Sequence, residues 1–215
     1  MPPKSISQPR NYRSDLRQQQ AAATRRRVVE AAAELFAADG YASTTLARIA
    51  TAAGVSAETV QGHGPKAALL IAAIELTAVG VADEEDIRNL DVGRRLLAAG
   101  DPAEAIRLLV ATHSEAHIKT APLAEALISA ANADPELDRY RRDLIAGVTL
   151  QWHRIFEAYR DRGWIRSDVP VHELVDGSAA IGSVETYLRL TAAGWDLDAY
   201  QRWGRRMLAE TVFVR

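Results

Sequence analysis

Apolar residues recur at helical spacing through most of this chain, and glycine or proline separates one run from the next. The first stripe consists of Val28, Ala31, Ala32, Leu35 and Phe36. Residues three and four positions apart lie on one face of an α-helix, so this spacing indicates amphipathic helices. The alternation of apolar and polar residues that strands show is essentially missing. The sequence predicts an all-α fold of roughly nine or ten helices with no internal repeat.

Composition narrows the class of protein further. Hydrophobic residues make up 48% of the 215 residues and charged residues 25%, which is typical of a globular domain. Because cysteine is absent, disulfides, thiolate metal sites and cysteine nucleophiles are excluded. No apolar run approaches the ~18 residues that span a bilayer, and the first residues lack a signal-peptide core. We therefore expect a soluble, cytoplasmic protein.

The first predicted helix lies between a threonine and a glycine. Thr24 is expected to cap its start, and Gly40 is expected to end it at the C′ position. Residues 1–20 are polar and contain three prolines, so they are expected to form a flexible basic arm. Its arginines could contact DNA phosphates or merely keep the arm soluble.

Two short helices follow and meet at a tight turn. Thr44 or Thr45 can cap the first of them, and Gly54 supplies the left-handed backbone that the turn needs. Ser56 can cap the next helix, which is predicted over residues 57 to about 63. This arrangement is a helix-turn-helix, a motif that places its second helix in the major groove of DNA.

Charge is distributed in agreement with that prediction. Residues 1–66 hold nine Lys or Arg and five Asp or Glu, a net charge of +4, whereas the other residues hold 17 and 23, a net charge of −6. A basic front and an acidic rear suggest that only the front of the molecule faces phosphate.

The pattern around these helices resembles the N-terminal domain of TetR-family regulators over about fifty residues. The matching positions are Ala32, Leu35, Phe36, Gly40-Tyr41, Thr44-Thr45, Ile49-Ala50, Ala53-Gly54-Val55-Ser56, Thr59-Val60 and Lys66. The resemblance implies a homodimer that binds double-stranded operator DNA and releases it when a small molecule fills the rear domain. It also implies a helix-turn-helix domain over residues 21–66 and a larger helical ligand-binding and dimerisation domain over residues 67–215.

The resemblance further implies phosphate contacts from Thr45 and Lys66 and base contacts from the front of the third helix. Threonine hydroxyls and helix N-termini donate to phosphate, and glutamine can pair with adenine in the major groove. The candidate DNA-binding residues are Arg25, Thr44, Thr45, Ser56, Ala57, Glu58, Thr59, Gln61, His63 and Lys66.

The chain departs from the family pattern at the end of the third helix. The family usually has tyrosine where Gln61 stands, and the stretch Gly62-His63-Gly64-Pro65-Lys66 is one residue shorter than the common form. Because that tyrosine supports a phosphate contact in the family, we expect the hold on DNA to be weaker or differently placed. The alternative function is a helical dimeric ligand- or protein-binding module with a degenerate DNA-binding domain.

The rear of the chain is predicted to contain further helices with clear boundaries. They are expected over residues 65–81, 84–98, from 102, 122–131, from 135 to near 163, 171–192 and 196–213. Proline or an Asp-Pro pair starts several of them, and glycine ends several.

Two histidines and a group of aromatic residues are candidates for a small-molecule site in the rear domain. His113 and His117 lie one turn apart on the same helix face, and a metal ion would need further ligands that the nearby sequence does not supply. Trp152 and Phe156 could form core or a pocket wall, and Tyr187 is a weaker candidate. We expect a small apolar or aromatic effector.

The last two predicted helices resemble the pair that forms the dimer in this family. The candidate interface residues are Gly182, Tyr200, Trp203 and Met207, although the same faces could be buried within one chain. No GxSxG, phosphate-binding loop, GxGxxG or HExxH motif is present, so we expect neither enzyme activity nor a cofactor or metal. Repression by occluding a promoter is favoured over activation.

Overall fold

The computed structural model describes residues 10–77 and 86–214, and in these residues it confirms the all-α class. The helices are α1 (Arg10–Ser43), α2 (Leu46–Ala53), α3 (Ala57–Gln61), α4 (Lys66–Thr77), α5 (Asp91–Leu97), α6 (Pro102–Ala131), α7 (Pro135–Asp161), α8 (Val171–Ile181), α9 (Val184–Ala192) and α10 (Leu197–Thr211). A short 3₁₀ helix, Ile87–Asn89, precedes α5. An isolated β-bridge joins Ile165 to Phe213. No helix among the described residues is both long and apolar enough to cross a membrane.

Helix α1 is longer than predicted at its start. It begins at Arg10, so the flexible arm is wrong for residues 10–20, and Thr24 lies inside the helix rather than at its cap. No glycine or proline follows Pro9 in this stretch, and its glutamines, alanines and arginines are good helix formers. Burial of the apolar stripe stabilises the helix, and these helix formers continue it towards the N-terminus. The first nine residues and the side chains of the predicted arm arginines lie outside the described residues.

The apolar stripes pack into two cores. The front core joins Val28 and Phe36 of α1 with Ile49 of α2, Val60 of α3 and Leu70 of α4. The rear core contains Leu96 of α5, Leu109 of α6, Ile155 and Tyr159 of α7 and Leu208 of α10. Each core buries apolar side chains from helices far apart in the sequence, and this burial is the main term that stabilises the fold.

Helix α6 belongs to both cores. Ile106 and Leu109 lie in the rear core, whereas Leu123 and Leu127 lie in the front core. The separate short helix predicted from Pro122 is wrong, because Pro122 lies inside α6. Proline has no backbone N–H, so one hydrogen bond of α6 is missing at Pro122. The helix continues because the residues that follow Pro122 are buried in the front core.

Two other predicted helices are divided. The prediction for residues 84–98 fails because the described part of that stretch, from residue 86, forms the 3₁₀ helix and then α5. Gly93 permits the fold-back, since a Cβ there would lie 1.9 Å from the carbonyl oxygen of Ile87. The prediction for residues 171–192 fails because α8 ends at Ile181 with Gly182 as its C-cap, after which Ser183 caps α9 by accepting from the Thr186 N–H. Residues 78–85, including the predicted end of the fourth helix, lie outside the described residues.

Candidate DNA-binding head and ligand cavity

Side-chain caps fix the two short helices at the front of the molecule. Thr45 caps α2 by accepting a hydrogen bond from the Arg48 N–H at 3.3 Å. Gly54 takes the left-handed conformation with φ of 65°, and Ser56 caps α3 by accepting from the Thr59 N–H at 3.1 Å. These caps were predicted from residue type and are confirmed by the structure.

Most of the candidate DNA-binding side chains are accessible. Val60 is fully buried in the front core and anchors α3 from below. The exposed candidates are Arg25, Thr45, Ser56, Ala57, Glu58 and Gln61, and the partly exposed ones are Thr59 and His63. The outward part of α3 therefore offers a hydroxyl, a carboxylate and an amide to a partner.

Thr44 does not belong to that set. Its side chain is fully buried, and its hydroxyl lies within hydrogen-bond distance of two carbonyl oxygens, Gly40 at 2.8 Å and Leu35 at 3.2 Å. The prediction that Thr44 contacts DNA is wrong for this side chain, because the hydroxyl holds the end of α1 together.

Lys66 also has an internal role. Its ammonium donates to the carbonyl oxygens of Tyr41 at 2.9 Å and Thr44 at 3.1 Å, and it lies 4.1 Å from the centre of the Tyr41 ring. An ammonium group has three N–H donors, so one remains for another acceptor. Lys66 thus fixes the turn between α1 and α2, and a phosphate contact by its third donor stays a prediction.

A contact between the head and the rear helices was missed at the sequence level. The Tyr41 hydroxyl donates to Asp134 Oδ2 at 3.4 Å, and Asp134 Oδ1 caps α7 by accepting from Glu136 and Leu137 N–H groups. Burial, and then the nearby Asp134 charge, raise the pKa of Tyr41 to about 12. The two residues are 93 positions apart, and no local pattern signals such a pair.

Most of the candidate ligand-binding side chains lie together in the rear half. The His113 ring meets the edge of Trp152 at a centroid distance of 4.4 Å, and His117 lies 5.5 Å from Tyr187. His117 Nε2 is 2.7 Å from the carbonyl oxygen of Gly182, which joins α6 to the break between α8 and α9. The structure therefore brings together four of the five candidates.

Burial sets the protonation state of both histidines. It lowers the pKa of His113 to about 3, and the neighbouring His117 acts in the same direction. Burial also lowers the pKa of His117, against the opposing effect of its hydrogen bond to Gly182 and of Glu185. Both imidazoles are therefore neutral at pH 7, each with one donor and one acceptor nitrogen.

A small cavity lies beside His113, where α6 meets α8 and α10. Its volume is about 10 Å³, which is room for roughly one water molecule. The apolar part of its wall comes from Val110, Ile181, Gly182, Gly204 and Leu208. The polar part comes from His113, Ser178 and Tyr200. A larger molecule can enter only if these helices separate.

Three candidates are placed differently from their predictions. Phe156 lies in the rear core and is not part of the cavity wall. Gly182 and Tyr200, predicted at the dimer interface, instead line the cavity within one chain, and Tyr200 is only 2% exposed. Gly182, between α8 and α9, lies close to His113 of α6, and α10, which carries Tyr200, packs against α6. Trp203 and Met207 are partly exposed, and their interface role stays a prediction.

No group of three or more His, Cys, Asp or Glu side chains with metal-binding geometry occurs in the part of the chain that the structure describes. The rings of the histidine pair contact Trp152 and Tyr187, and His117 also lies within hydrogen-bond distance of the Gly182 carbonyl oxygen. Its chemistry is that of neutral hydrogen-bonding groups in an apolar setting.

Comparison with known families identifies the head. Residues 28–73 match the model of the family described as bacterial regulatory proteins, tetR family. The match covers the head and not the rest of the chain. The matched residues begin in the middle of α1 and extend into α4, so they include both capped helices. No curated protein sequence matches the chain.

Solved structures share the fold of about nine tenths of the chain. A protein from Saccharomonospora viridis, solved in complex with choline, has a TM-score of 0.72 and 18% identity, with 90% of this chain and 100% of that chain covered. The SmeT–triclosan complex has a TM-score of 0.68 and 17% identity, with 89% and 92% covered; SmeT is the repressor of a multidrug efflux pump of Stenotrophomonas maltophilia. NalD, a secondary efflux-pump repressor from Pseudomonas aeruginosa, has a TM-score of 0.68 and 18% identity, with 90% and 98% covered. At these identities the likeness concerns the fold.

Proposed function

We propose that this protein is a ligand-responsive transcriptional regulator that binds operator DNA as a homodimer and represses by occupying a promoter. The observation that carries the proposal is the geometry of the head. Helix α3 is capped by Ser56, anchored by the buried Val60, and exposes Ala57, Glu58 and Gln61. A short, rigid helix with polar groups directed outward is what major-groove recognition requires.

The rest of the head supports the same role. The basic residues of the first 66 positions provide the net positive charge that phosphate binding needs. We assign base contacts to Glu58, Thr59 and Gln61, and phosphate contacts to Arg25, Thr45 and the free donor of Lys66. Because Gln61 replaces the usual tyrosine, the end of α3 carries an amide that can form hydrogen bonds with adenine.

Helix α6 offers a physical route from ligand to DNA. Its first half lines the cavity through Val110 and His113, and its second half packs in the front core through Leu123 and Leu127. Helices transmit displacement because their packed side chains resist compression. We propose that a ligand separates α6 from α8 and α10 and thereby shifts the front core. Choline and triclosan bound to proteins of the same fold support a small-molecule effector.

Domain boundaries follow from this mechanism. We propose that residues 21–66 read DNA and that residues 67–215 bind ligand and form the dimer, with α6 and α7 extending into the front core. We propose no catalytic role for the protein.

Selection of DNA fragments tests the proposal. Purified full-length protein is mixed with sheared genomic DNA, and the bound fragments are sequenced. We expect one palindromic sequence class, because two heads related by a two-fold axis read two half-sites. Enrichment of all fragments to the same extent would contradict the proposal and favour the degenerate-domain alternative.

A variant identifies the base-reading residue. Gln61→Ala should lower affinity for the selected site by about 1–3 kcal/mol and relax preference at one position in each half-site, since a lost base contact removes discrimination there. The matched control is Gln151→Ala, whose side chain lies in the rear half and accepts from the Ile87 N–H. That control should leave the selected sequence unchanged.

A further inference from the structure

The cavity beside His113 has no charged side chain on its wall. Five of its lining residues are apolar or glycine, and the polar ones are His113, Ser178 and Tyr200. The Ser178 hydroxyl donates to the carbonyl oxygen of Leu174 at 2.7 Å, so its hydrogen is already used. The groups left to recognise a ligand are an imidazole and a phenol hydroxyl.

His113 is close to the space that a ligand would take. A Cβ added to Gly182, another wall residue, would lie 2.9 Å from His113 Nδ1. Within the described residues, His113 makes ring contacts with Trp152 and His117 but no hydrogen bond, and the Tyr200 hydroxyl makes none either. A ligand that covers these polar groups must pair with them, because a covered donor or acceptor without a partner costs free energy.

We propose that this cavity takes a small uncharged molecule with one hydroxyl group on an apolar body, that is, a phenol or a compact alcohol. The proposal rests on the function proposed above and names the chemical class of the effector. The ligand hydroxyl pairs with His113 and Tyr200, and its apolar body lies against Val110, Ile181 and Leu208. Neutral imidazole and phenol groups can each donate or accept a hydrogen bond, so one hydroxyl can satisfy both.

Ionic ligands are disfavoured by the same wall. A carboxylate or ammonium buried here would lose its hydration without meeting an opposite charge, which is strongly unfavourable. Burial keeps His113 neutral, so it gives a carboxylate no counter-charge. Glu185 acts electrostatically on His117, but it is exposed on α9 and does not line the cavity.

Two glycines explain why the cavity is nearly closed and how it can open. Gly182 permits close approach to His113, and a Cβ at Gly204 would lie 3.4 Å from Val110 Cγ1. Both contacts join side chains of α6 to glycines across the cavity, and the Gly182 carbonyl oxygen also lies 2.7 Å from His117 Nε2 on α6. Opening beside His113 breaks van der Waals contacts, which a ligand's apolar body replaces, while the hydrogen bond between His117 and Gly182 lies one turn further along α6.

Matched probes test the ligand class on the full-length protein at pH 7. Phenol, toluene, benzoate and benzyltrimethylammonium have similar ring size but differ in the hydroxyl group and in charge. Dissociation constants come from ligand-observed NMR titration, with thermal stabilisation as a second readout. We expect phenol to bind about tenfold more tightly than toluene, since one added hydrogen bond is worth about that factor. Both ions should bind more weakly than phenol by about tenfold or more.

Variants place the phenol in this cavity. His113→Phe preserves ring volume and removes the nitrogens, so it should reduce the phenol-to-toluene ratio to about one, and Tyr200→Phe should reduce it partly. His172→Phe is the control, because His172 is an exposed histidine on α8, and it should keep the wild-type ratio. If His113→Phe does not fold, Tyr200→Phe and the four wild-type affinities still decide the question.

Several results would overturn the inference. They are equal binding of phenol and toluene, binding of either ion as tight as that of phenol, or no binding of any neutral probe. DNA selection is measured separately, so the two proposals can fail independently. Phenol binding without a selected DNA site would leave the ligand class intact and contradict the regulator, and a selected site without phenol binding would do the reverse.

Discussion

At the residue scale, side chains at the front of the molecule fall into two groups. Thr44, Lys66 and Tyr41 point inward and hold the end of α1 against α2, α4 and α7. Ser56 and Thr45 cap helices and remain exposed. The inward group fixes the positions of the outward group. Mutation of the inward residues should therefore lower stability, whereas mutation of the outward residues should lower the affinity for DNA.

Thr44 gives the clearest test of that division. Thr44→Val should lower the free energy of unfolding by about 1–3 kcal/mol, because it removes a buried hydroxyl whose single hydrogen lies between the carbonyl oxygens of Gly40 and Leu35. Thr51→Val is the control, since Thr51 is exposed on α2, and it should change the value by about 0.5 kcal/mol or less. Urea denaturation followed by circular dichroism measures both. Equal effects would show that the Thr44 hydroxyl bonds are unimportant.

His113 should make stability depend on pH. Its pKa is about 3 in the folded protein and 6.5 in the unfolded chain, so the unfolded chain takes up a proton first as pH falls. The free energy of unfolding is therefore highest above pH 6.5, and it decreases as the pH falls from 6.5 towards 3. His113→Phe removes this loss and should reduce the decline in unfolding free energy by about 1 kcal/mol between pH 7 and pH 5.5.

The control for this pH effect is His172→Phe. His172 is exposed, so the variant should keep the wild-type slope of stability against pH. Chemical denaturation at a series of pH values gives the slopes. A wild-type slope in His113→Phe would mean that another group causes the loss.

Local signals predicted the caps, and long-range contacts escaped prediction. A serine or threonine before a helix and a glycine after it act within a few residues, so Thr45, Gly54 and Ser56 were identified from sequence. Lys66 is bound to carbonyl groups 22 and 25 positions away, and His117 to one 65 positions away. Such partners depend on packing, which residue type does not reveal.

At the element scale, helical periodicity predicted where helices lie better than where they stop. Pro122 signalled a boundary, yet α6 continues because Leu123 and Leu127 are buried in the front core. Residues 171–192 gave one apolar period, yet the chain breaks at Gly182 and Ser183. Tertiary packing decided the first case and a local cap the second. Helical periodicity by itself says little about where a helix ends.

Pro122 should therefore be a strained position in α6. Pro122→Ala restores a backbone N–H inside the helix and should raise the free energy of unfolding by about 1 kcal/mol or more. Pro135 lies in the first turn of α7, where its N–H would have no helical partner, so Pro135→Ala should raise stability by much less. Denaturant unfolding compares the two. A loss of stability in Pro122→Ala would show that the fold requires the proline geometry there.

At the scale of the whole molecule, two cores share α6 and α7. In the proposed mechanism, the continuity of these helices connects the cavity to the head. The Tyr41–Asp134 hydrogen bond adds a polar link at the same junction. A change at the cavity can reach α3 through packed contacts without a hinge between separate bodies.

The surface of α10 leads to a prediction about assembly. Met207 is partly exposed there, and in the proposed dimer it is covered by the second copy. Met207→Glu should convert a dimer to a monomer in sedimentation velocity, because it buries an unpaired charge at the interface. Arg206→Glu, on the exposed side of the same helix, should remain dimeric. A dimeric Met207→Glu would place the interface elsewhere.

The central claim is sequence-specific DNA binding by the head. Its most direct test is the ratio of the dissociation constants for a scrambled duplex and for the selected palindrome, measured by fluorescence anisotropy at physiological salt and across a salt series. We predict a ratio of about 10³ or more and a steep loss of affinity with salt, because phosphate contacts release counterions while base contacts discriminate. A ratio near one at every salt concentration would contradict the account.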